Sequence, residues 1–209
     1  MRAAATLLVL AACASSSDSK PAAPAAPAAP TAPVAPAVVP VQPTPALAKG
    51  MAKLGFMRGV WAGPAAGTTA TGQRYSVTQT ERMGPMLGGD IVVIEGRGYT
   101  ADGSTGFNAF AVVSWDPRAD KYEIRSYTQG YAGTFELKLT ADGYVWEVPA
   151  GPGAVIRFTA TVKNDTWREV GEYIAGDKPP RQTFEMNLRR VGDTNWPLGT
   201  PIPPSVVKP

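Results

Sequence analysis

The side chains that carry out most enzymatic chemistry are scarce in this sequence. It contains no histidine, and its one cysteine is Cys13. Imidazole metal ligands, imidazole general bases and Ser–His or Cys–His nucleophile pairs are therefore excluded. The remaining candidates for site chemistry are carboxylate, guanidinium, phenol and indole groups, which can orient a ligand by hydrogen bonds and charge. The sequence accordingly predicts no catalytic residue, no metal site and no cofactor.

Six polar or aromatic residues are candidate ligand contacts. Alternate residues of a strand face opposite sides, and these six fall on strand faces that could line the protein interior. They are Glu81, Glu95, Arg97, Arg125, Tyr127 and Trp146. Inside a protein such groups would position a polar ligand head, and they are costly when left unpaired. On the strand at 91–99 the opposite face, with Val92 and Ile94, is equally compatible with the interior. The alternative is that these residues are exterior charges or internally satisfied pairs.

Two further patterns resemble sites but lack what those sites need. Residues 96–101 match the dinucleotide pattern G-x-G-x-x-A, but a turn follows where a phosphate site requires a helix. Glu81 with Glu95, or Glu169 with Glu172, has the composition of a glycosidase acid/base pair, with no geometry to support either pairing. An enzyme that uses Glu, Asp and Tyr is kept as one alternative for the function of the protein.

Strands must position these groups, because stretches rich in Val, Ile, Thr, Tyr, Phe and Trp alternate with Gly, Asp and Pro. We predict ten strands, near 59–63, 73–82, 89–99, 106–116, 121–129, 132–139, 143–149, 154–163, 166–175 and 181–191. The short turns between them make sequential strands antiparallel neighbours. Before the strands, Leu47, Met51, Leu54 and Met57 have helical spacing and predict a short amphipathic helix.

An antiparallel up-and-down barrel is the predicted fold, because ten sequential strands must hide two sheet edges and closure removes both. A β-sandwich is the alternative. A barrel of about eight strands is just filled by its side chains, so ten strands predict an internal cavity. A cavity of about 300 Å³ or more would suit a small molecule.

The first and last strands resemble those of lipocalins. Gly59-Val60-Trp61 opens the first strand, and Arg189-Arg190 ends the last. This arrangement resembles the calycin pattern, in which Gly-x-Trp opens the barrel and a basic residue of the final strand lies across the indole at the closed end. Strand parity selects Arg190, rather than Arg189, as the partner of Trp61 in a structural contact that closes the barrel.

The order of segments along residues 47–192 carries the resemblance further. It runs through GVWAG, TQTERMGPMLGGDIVVIEGRGY, FNAFAVVSWDP, KYEIRSYTQG, DGYVWEVPAGPGAVIRFTATVKNDTWREVGE and FEMNLRRV. This order is similar to that of a lipocalin-like domain of unknown function in bacterial secreted proteins and lipoproteins. The related nitrobindin-like barrels bind haem through a histidine, which this sequence lacks, so the resemblance implies no haem here.

The N-terminus has the pattern of a lipoprotein leader. A short positive start is followed by an apolar run and then by Leu10-Ala11-Ala12-Cys13. We predict that residues 1–12 are a lipoprotein signal peptide and that Cys13 is lipidated, which would anchor the protein in a membrane. The alternative is an ordinary signal peptide in which Cys13 has no such role. Because alanine follows Cys13, the resemblance to lipoprotein sorting signals favours the outer membrane, facing the periplasm.

The predicted barrel at 47–192 lies between a Pro/Ala-rich linker at 13–46 and a Pro-rich tail at 193–209. At about 3.1 Å per residue the linker could hold the barrel roughly 100 Å from a membrane. The net charge of +3 is spread without basic runs, which excludes a nucleic-acid groove.

These patterns together predict a monomeric, non-enzymatic lipoprotein of the bacterial cell envelope. Its barrel is expected to bind a small hydrophobic or amphipathic molecule. An interaction module with a filled barrel is the first alternative, and the Glu/Asp/Tyr enzyme is the second.

Overall fold

Ten antiparallel strands form a closed barrel in the computed structural model, which describes residues 44–196. Each strand pairs with its neighbours in sequence, and the first strand pairs with the last. The predicted up-and-down barrel is confirmed, and the alternative of a β-sandwich is wrong. The predicted leader, Cys13, nearly all of the linker and most of the tail lie outside the described residues. Between residues 44 and 196, no helix is both long enough and apolar enough to cross a bilayer.

The elements follow one another in the chain without a crossover. They are α1 (Pro45–Ala52), a 3-10 turn (Gly55–Met57), β1 (Gly59–Thr68), β2 (Arg74–Met86), a second 3-10 turn (Leu87–Gly89), β3 (Ile91–Tyr99), β4 (Thr105–Asp116), β5 (Lys121–Thr128), β6 (Tyr131–Leu139), β7 (Gly143–Pro149), β8 (Ala154–Lys163), β9 (Thr166–Ala175) and β10 (Arg181–Gly192). The strand β1 extends five residues beyond its predicted end, since its small residues pair on both sides: Ala65 lies opposite Val77 of β2 and Met186 of β10.

The predicted helix is present but is shorter than expected. Thr44 caps α1, accepting a hydrogen bond from the Leu47 N–H at 3.2 Å, and Pro45 occupies the first turn, where its missing N–H has no consequence. The helix ends at Ala52, and only a 3-10 turn follows before β1. The apolar stripe that predicted one helix therefore spans two short helical segments.

These two segments close one end of the barrel. Met51, Leu54 and Met57 are all buried there, and Leu54 is fully inaccessible to solvent. The Tyr122 hydroxyl of β5 donates to the Gly50 carbonyl at 2.6 Å. We call this the closed end. The opposite end, where the hairpins at 69–73, 100–104, 129–130, 150–153 and 176–180 turn, is the open end.

One seam of the barrel wall is paired over only part of its length. Strands β6 and β7 are in register from Leu137, opposite Trp146, to Leu139, opposite Tyr144. Both strands continue toward the open end without pairing to each other, and β7 ends at Pro149, which has no N–H to donate. This β6–β7 gap opens the wall beside the inward-facing residues of the two strands.

A candidate ligand site in the barrel interior

The register of the first three strands shows which residues face inward. Trp61 of β1, which is 2% exposed, lies opposite Glu81 of β2, and Glu81 lies opposite Gly96 of β3. Directly opposed residues of adjacent strands share a face. Glu81 therefore faces the interior, where it is 8% exposed.

Glu95 and Arg97 face outward, and the expectation that they line the interior is wrong. They flank Gly96, which lies on the inner face, and alternation places them on the outside. Arg97 Nη2 lies 2.8 Å from Glu95 Oε1, and Arg82 pairs with the other carboxylate oxygen. Partial burial raises the pKa of Glu95, but the hydrogen bonds from the two guanidinium groups outweigh it and hold that pKa below its usual value.

Arg125 and Tyr127 also lie on the outer face, so their interior assignment is wrong as well. Their strand places Tyr122 and Ile124 inward, where both are buried against the core. Arg125 is exposed, and Tyr127 keeps 52% of its surface accessible. The alternation of Lys121, Glu123 and Arg125 with two apolar residues was the sequence signal for this facing.

Trp146 lies inside the barrel, as predicted, and contacts groups that the sequence analysis did not assign to the site. Its indole N–H is 3.4 Å from Glu169 Oε1, and its ring stacks on Phe158 with centroids 4.8 Å apart. Trp146 thus connects an apolar surface to a buried acid.

Trp61 and Arg190 are neighbours in register, but they do not form the expected stack. The Trp61 N–H donates to the Met57 carbonyl at 3.1 Å, and its ring meets Trp167 edge-on with centroids 5.9 Å apart. Arg190 instead donates to Asp193 at 2.5 Å. Within residues 44–196, no cation–π contact joins the two side chains. The register places the guanidinium at the end of the strand, where a carboxylate is within reach.

Two carboxyl groups, Glu81 and Glu169, are buried in the barrel interior, and we call them the acid pair. Glu81 accepts a hydrogen bond from Gln79 at 2.7 Å, and Glu169 accepts one from the Tyr144 hydroxyl at 2.9 Å. Glu169 is 6% exposed. The alternation Trp167, Glu169 in β9 was the available signal, but the pairings weighed from the sequence were different ones. Glu95 and Glu172 do not join the acid pair, since both lie outside.

Burial raises the pKa of both members of the acid pair. The pKa of Glu81 rises to about 8, mainly through desolvation; the hydrogen bond from Gln79 opposes this rise, and the charge of Glu169 adds to it. Desolvation also raises the pKa of Glu169, although the donor groups of Tyr144, Trp146 and Trp167 lower it. At neutral pH Glu81 therefore carries a proton, because ionising it would place a second uncompensated charge in the interior.

A glycine makes room for the Glu81 carboxyl group. A Cβ atom at Gly96 would lie 2.6 Å from Glu81 Oε1, which is closer than such atoms approach. The carboxyl group thus lies against the backbone of β3. Any larger residue at position 96 would displace it.

Four aromatic side chains line the interior toward the open end: Phe135, Trp146, Phe158 and Phe184. They form a contact series, because Phe135 and Trp146 have centroids 5.7 Å apart and Phe158 and Phe184 have centroids 6.2 Å apart. We call this series the aromatic wall. All four residues are partly exposed although they face inward, whereas the inward residues of the closed end are buried. Solvent therefore reaches the interior from the open end.

The interior is narrower than the strand number predicts. Phe135 lies over Gly133, where a Cβ would be 2.3 Å from the ring, and Phe158 lies against Gly171, where a Cβ would be 2.9 Å away. Neighbouring aromatic side chains thus fill the space beside these two inward-facing glycines. Two pockets, of about 400 and about 530 Å³, lie on the outer wall.

The larger outer pocket borders a group of exposed aromatic residues. Phe110, Tyr127 and Tyr131 line it, and Tyr131 is 82% exposed. We call these three residues the outer patch. The smaller pocket crosses β1 and β2 on the outside, where Pro64 and Ala66 leave a depression. Over residues 44–196, no cluster of three or more His, Cys, Asp or Glu side chains could hold a metal ion.

A solved structure supports the fold. No protein-family model matches the sequence, and no curated protein matches it. The chain is similar in structure to the Rv2717c protein from M. tuberculosis, with a TM-score of 0.52, 14% sequence identity, and coverage of 68% of this chain and 96% of that one. At this identity the likeness concerns the fold alone: a closed antiparallel barrel with a bacterial structural neighbour.

Proposed function

We propose that the protein binds a small, largely apolar molecule in the open half of its barrel and does not transform it. The observation that supports this best is the partial exposure of the aromatic wall, whose members face inward and are still reached by solvent. Aromatic surface that is accessible inside a concave site is what an apolar ligand buries on binding.

Two routes would admit such a ligand. One is the open end, and the other is the β6–β7 gap, which lies beside Phe135 and Trp146. Since both residues belong to the aromatic wall, a ligand entering by either route meets the same surface. This arrangement favours a ligand with a flat apolar body.

The hydrogen bonds of the acid pair favour binding rather than turnover. Both oxygens of Glu169 already accept hydrogen bonds, from Tyr144 and Trp146, and Glu81 is held by Gln79. These contacts favour fixed acids that orient a ligand. The Glu/Asp/Tyr enzyme remains an alternative, which a search for turnover with Glu81→Gln and Glu169→Gln would test.

We further propose that this barrel is a lipocalin-like domain held at a bacterial envelope through Cys13. The support is the leader pattern Leu10-Ala11-Ala12-Cys13 and the opening Gly-x-Trp of β1. Cell fractionation tests the anchor: Cys13→Ser should release the protein from the membrane fraction or leave it unprocessed. Unchanged mass and fractionation would contradict it.

The neutral fluorophore N-phenyl-1-naphthylamine tests the binding site. Its emission should rise when it binds to the wild type and should rise much less with Trp146→Ala or Phe158→Ala, because these variants remove the stacked pair. Phe110→Ala is the matched control, since it removes an aromatic ring from the outer wall. Equal loss in the inner and outer variants, or no enhancement with the wild type, would refute an interior site.

A second candidate function is supported by the outer patch. Exposed aromatic residues around a groove of about 530 Å³ are typical of a protein-interaction surface. If the barrel is an interaction module, then Phe110→Ala and Tyr127→Ala should abolish partner binding, and Trp146→Ala should not. The same variants thus separate the two functions.

A further inference from the structure

The interior acids are not paired with any cation. Gln79, Tyr144 and Trp146, all neutral, supply the hydrogen bonds to the acid pair. Across the described range 44–196, no salt bridge includes either member of the acid pair.

Strand β10 carries an arginine on its inward side at each end. Arg190, at the closed end, lies opposite Trp61, and its guanidinium pairs with Asp193. Arg181 lies opposite Tyr173 and covers its ring, with the guanidinium 5.5 Å from the ring centroid. Tyr173 is four residues beyond Glu169 along β9, which is roughly 13 Å at 3.3 Å per residue. Neither guanidinium pairs with a member of the acid pair within residues 44–196.

Two buried acids are unfavourable when both are ionised and neither is paired with a cation. Each would lose hydration without gaining a counter-charge, and each would repel the other. A positively charged guest would remove both penalties at once. The electrostatics of the acid pair therefore favour a cation as ligand.

The aromatic wall favours the same kind of guest. The Trp146 indole donates its N–H to Glu169 and stacks on Phe158, so the apolar body of an ammonium ion held at that carboxylate would extend along these rings. Aromatic faces attract organic cations, most strongly where water is excluded. The Glu169 carboxylate thus adjoins the aromatic wall at Trp146.

We propose that the ligand is an organic ammonium ion with an apolar, flat body, whose charged nitrogen lies at the acid pair and whose body lies along the aromatic wall. This inference rests on the proposed binding function and specifies its ligand class. The N–H groups of Trp146 and Trp167 both lie near Glu169 and lower its pKa, so the groups around this carboxyl are neutral donors.

Binding of such a cation is linked to the release of a proton. Glu81 faces Gln79 on its own strand, Trp61 on β1, Gly96 on β3, and Glu169 and Tyr144 across the interior. None of these carries positive charge, and Glu95 on the outer face adds a further negative charge. The guest would be the first cation near it, so Glu81 ionises on binding and its proton passes to the buffer. Affinity for the cation should consequently rise between pH 6 and pH 8.5, while an alkylammonium group, with a pKa of about 10, stays charged.

Isothermal titration with three matched probes tests the inference: 2-(2-naphthyl)ethylammonium, 2-(2-naphthyl)ethanol and 2-naphthylacetate. The cation should bind at least about tenfold more tightly than the alcohol, as a charge-assisted hydrogen bond contributes that much, and the carboxylate should bind most weakly. Titrations in buffers of different ionisation enthalpy should show proton release with the cation and none with the alcohol.

Variants of the acid pair complete the test. Glu81→Gln and Glu169→Gln should each reduce the preference for the cation and leave binding of the alcohol within about twofold, which also reports that the barrel is folded. Glu147→Gln, an acid on the outer face beside Trp146, is the matched control and should change nothing.

Two other outcomes would have separate meanings. If the alcohol binds as tightly as the cation, or if the Gln variants keep the preference for the cation, the ammonium ligand is refuted and the binding function stands. If none of the three probes binds, the proposed binding function is refuted, and the ligand class that depends on it is refuted too.

Discussion

The closed and open halves of the barrel share the same ten strands but are packed differently. Toward the closed end, inward residues such as Trp61, Leu54 and Leu188 are at most 2% exposed, and two short helical segments seal the end. Toward the open end, the inward aromatic side chains of Phe158 and Phe184 are partly exposed, and one seam of the wall is unpaired.

This contrast separates stability from binding within one fold. Fully buried apolar side chains contribute most to the free energy of unfolding, while partly exposed ones still have surface to bury against a ligand. The acid pair is inward-facing between these regions, with polar neighbours and no counter-cation. Substitutions on the two sides of the acid pair should therefore affect different properties.

Truncation at the closed end should have the largest effect. Trp61→Ala removes a buried indole that packs on Trp167, and should lower the free energy of unfolding by about 3–5 kcal/mol. Guanidinium denaturation measures the loss. Trp146→Ala, the matched change in the open half, should cost clearly less; an equal loss would mean that the two halves do not differ in this way.

The acid pair should make the protein less stable as pH rises. The folded pKa of Glu81, about 8, lies above its unfolded value of 4.5, so the folded state binds more protons between these limits and its stability falls with rising pH. From pH 5 to pH 7 the loss should be about 2–3 kcal/mol. The sequence contains no histidine to titrate in this window.

Glu81→Gln should flatten that dependence, as measured by urea denaturation at several pH values. Outer acids act elsewhere: Glu95 and Glu185 have lowered pKa values, so their contribution is present at higher pH and is lost only as pH falls below about 4.5. A wild type whose stability is constant from pH 5 to pH 8 would contradict the buried, protonated state of Glu81.

A methyl group at Gly96 should have a moderate effect. Gly96→Ala places a Cβ against the Glu81 carboxyl group and should destabilise the protein by about 1–3 kcal/mol, because a packed interior must shift to accept it. Thermal unfolding measures the change. Gly55→Ala, where a Cβ would meet no atom within 4 Å, is the control and should be nearly neutral.

Loss of an outer ion pair should have the smallest effect. Arg157 and Glu147 pair at 2.7 Å on the outer face of β7 and β8, with both side chains more than 40% exposed. Arg157→Ala should change the free energy of unfolding by less than about 1 kcal/mol, since exposed pairs are weak and screened by salt. A larger loss in chemical denaturation would mean that the outer wall contributes more than this comparison assigns to it.

The fold was predictable from the sequence because the sequence signals that determine it are local. Hairpin turns and period-two alternation determine sequential antiparallel strands, and ten such strands close. The facing of β3 was not predictable in this way, because Ile91 and Val93 on one face are as apolar as Val92 and Ile94 on the other. The register with β2 decides it, since Gly96 alone leaves room for Glu81.

The acid pair was missed for a related reason. Glu81 and Glu169 are distant in sequence, and their common location depends on closure of the barrel through β1 and β10. Local patterns can place each on an inner face but cannot bring them into one space. The cavity expected from strand number was similarly altered by side chains that lie over inward glycines.

The central claim, that the open half of the barrel binds the ligand, can be tested directly with the five tryptophans as reporters. In a ¹⁵N-labelled protein, their indole N–H signals report on different regions: the inner wall (Trp146), the interior near Glu169 (Trp167), the closed end (Trp61 and Trp115) and the outer wall (Trp196). Titration with 2-(2-naphthyl)ethanol should shift Trp146 and Trp167 and leave Trp115 and Trp196 in place. Shifts confined to Trp115 or Trp196, or no shift in any of the five at saturating probe, would contradict an interior site.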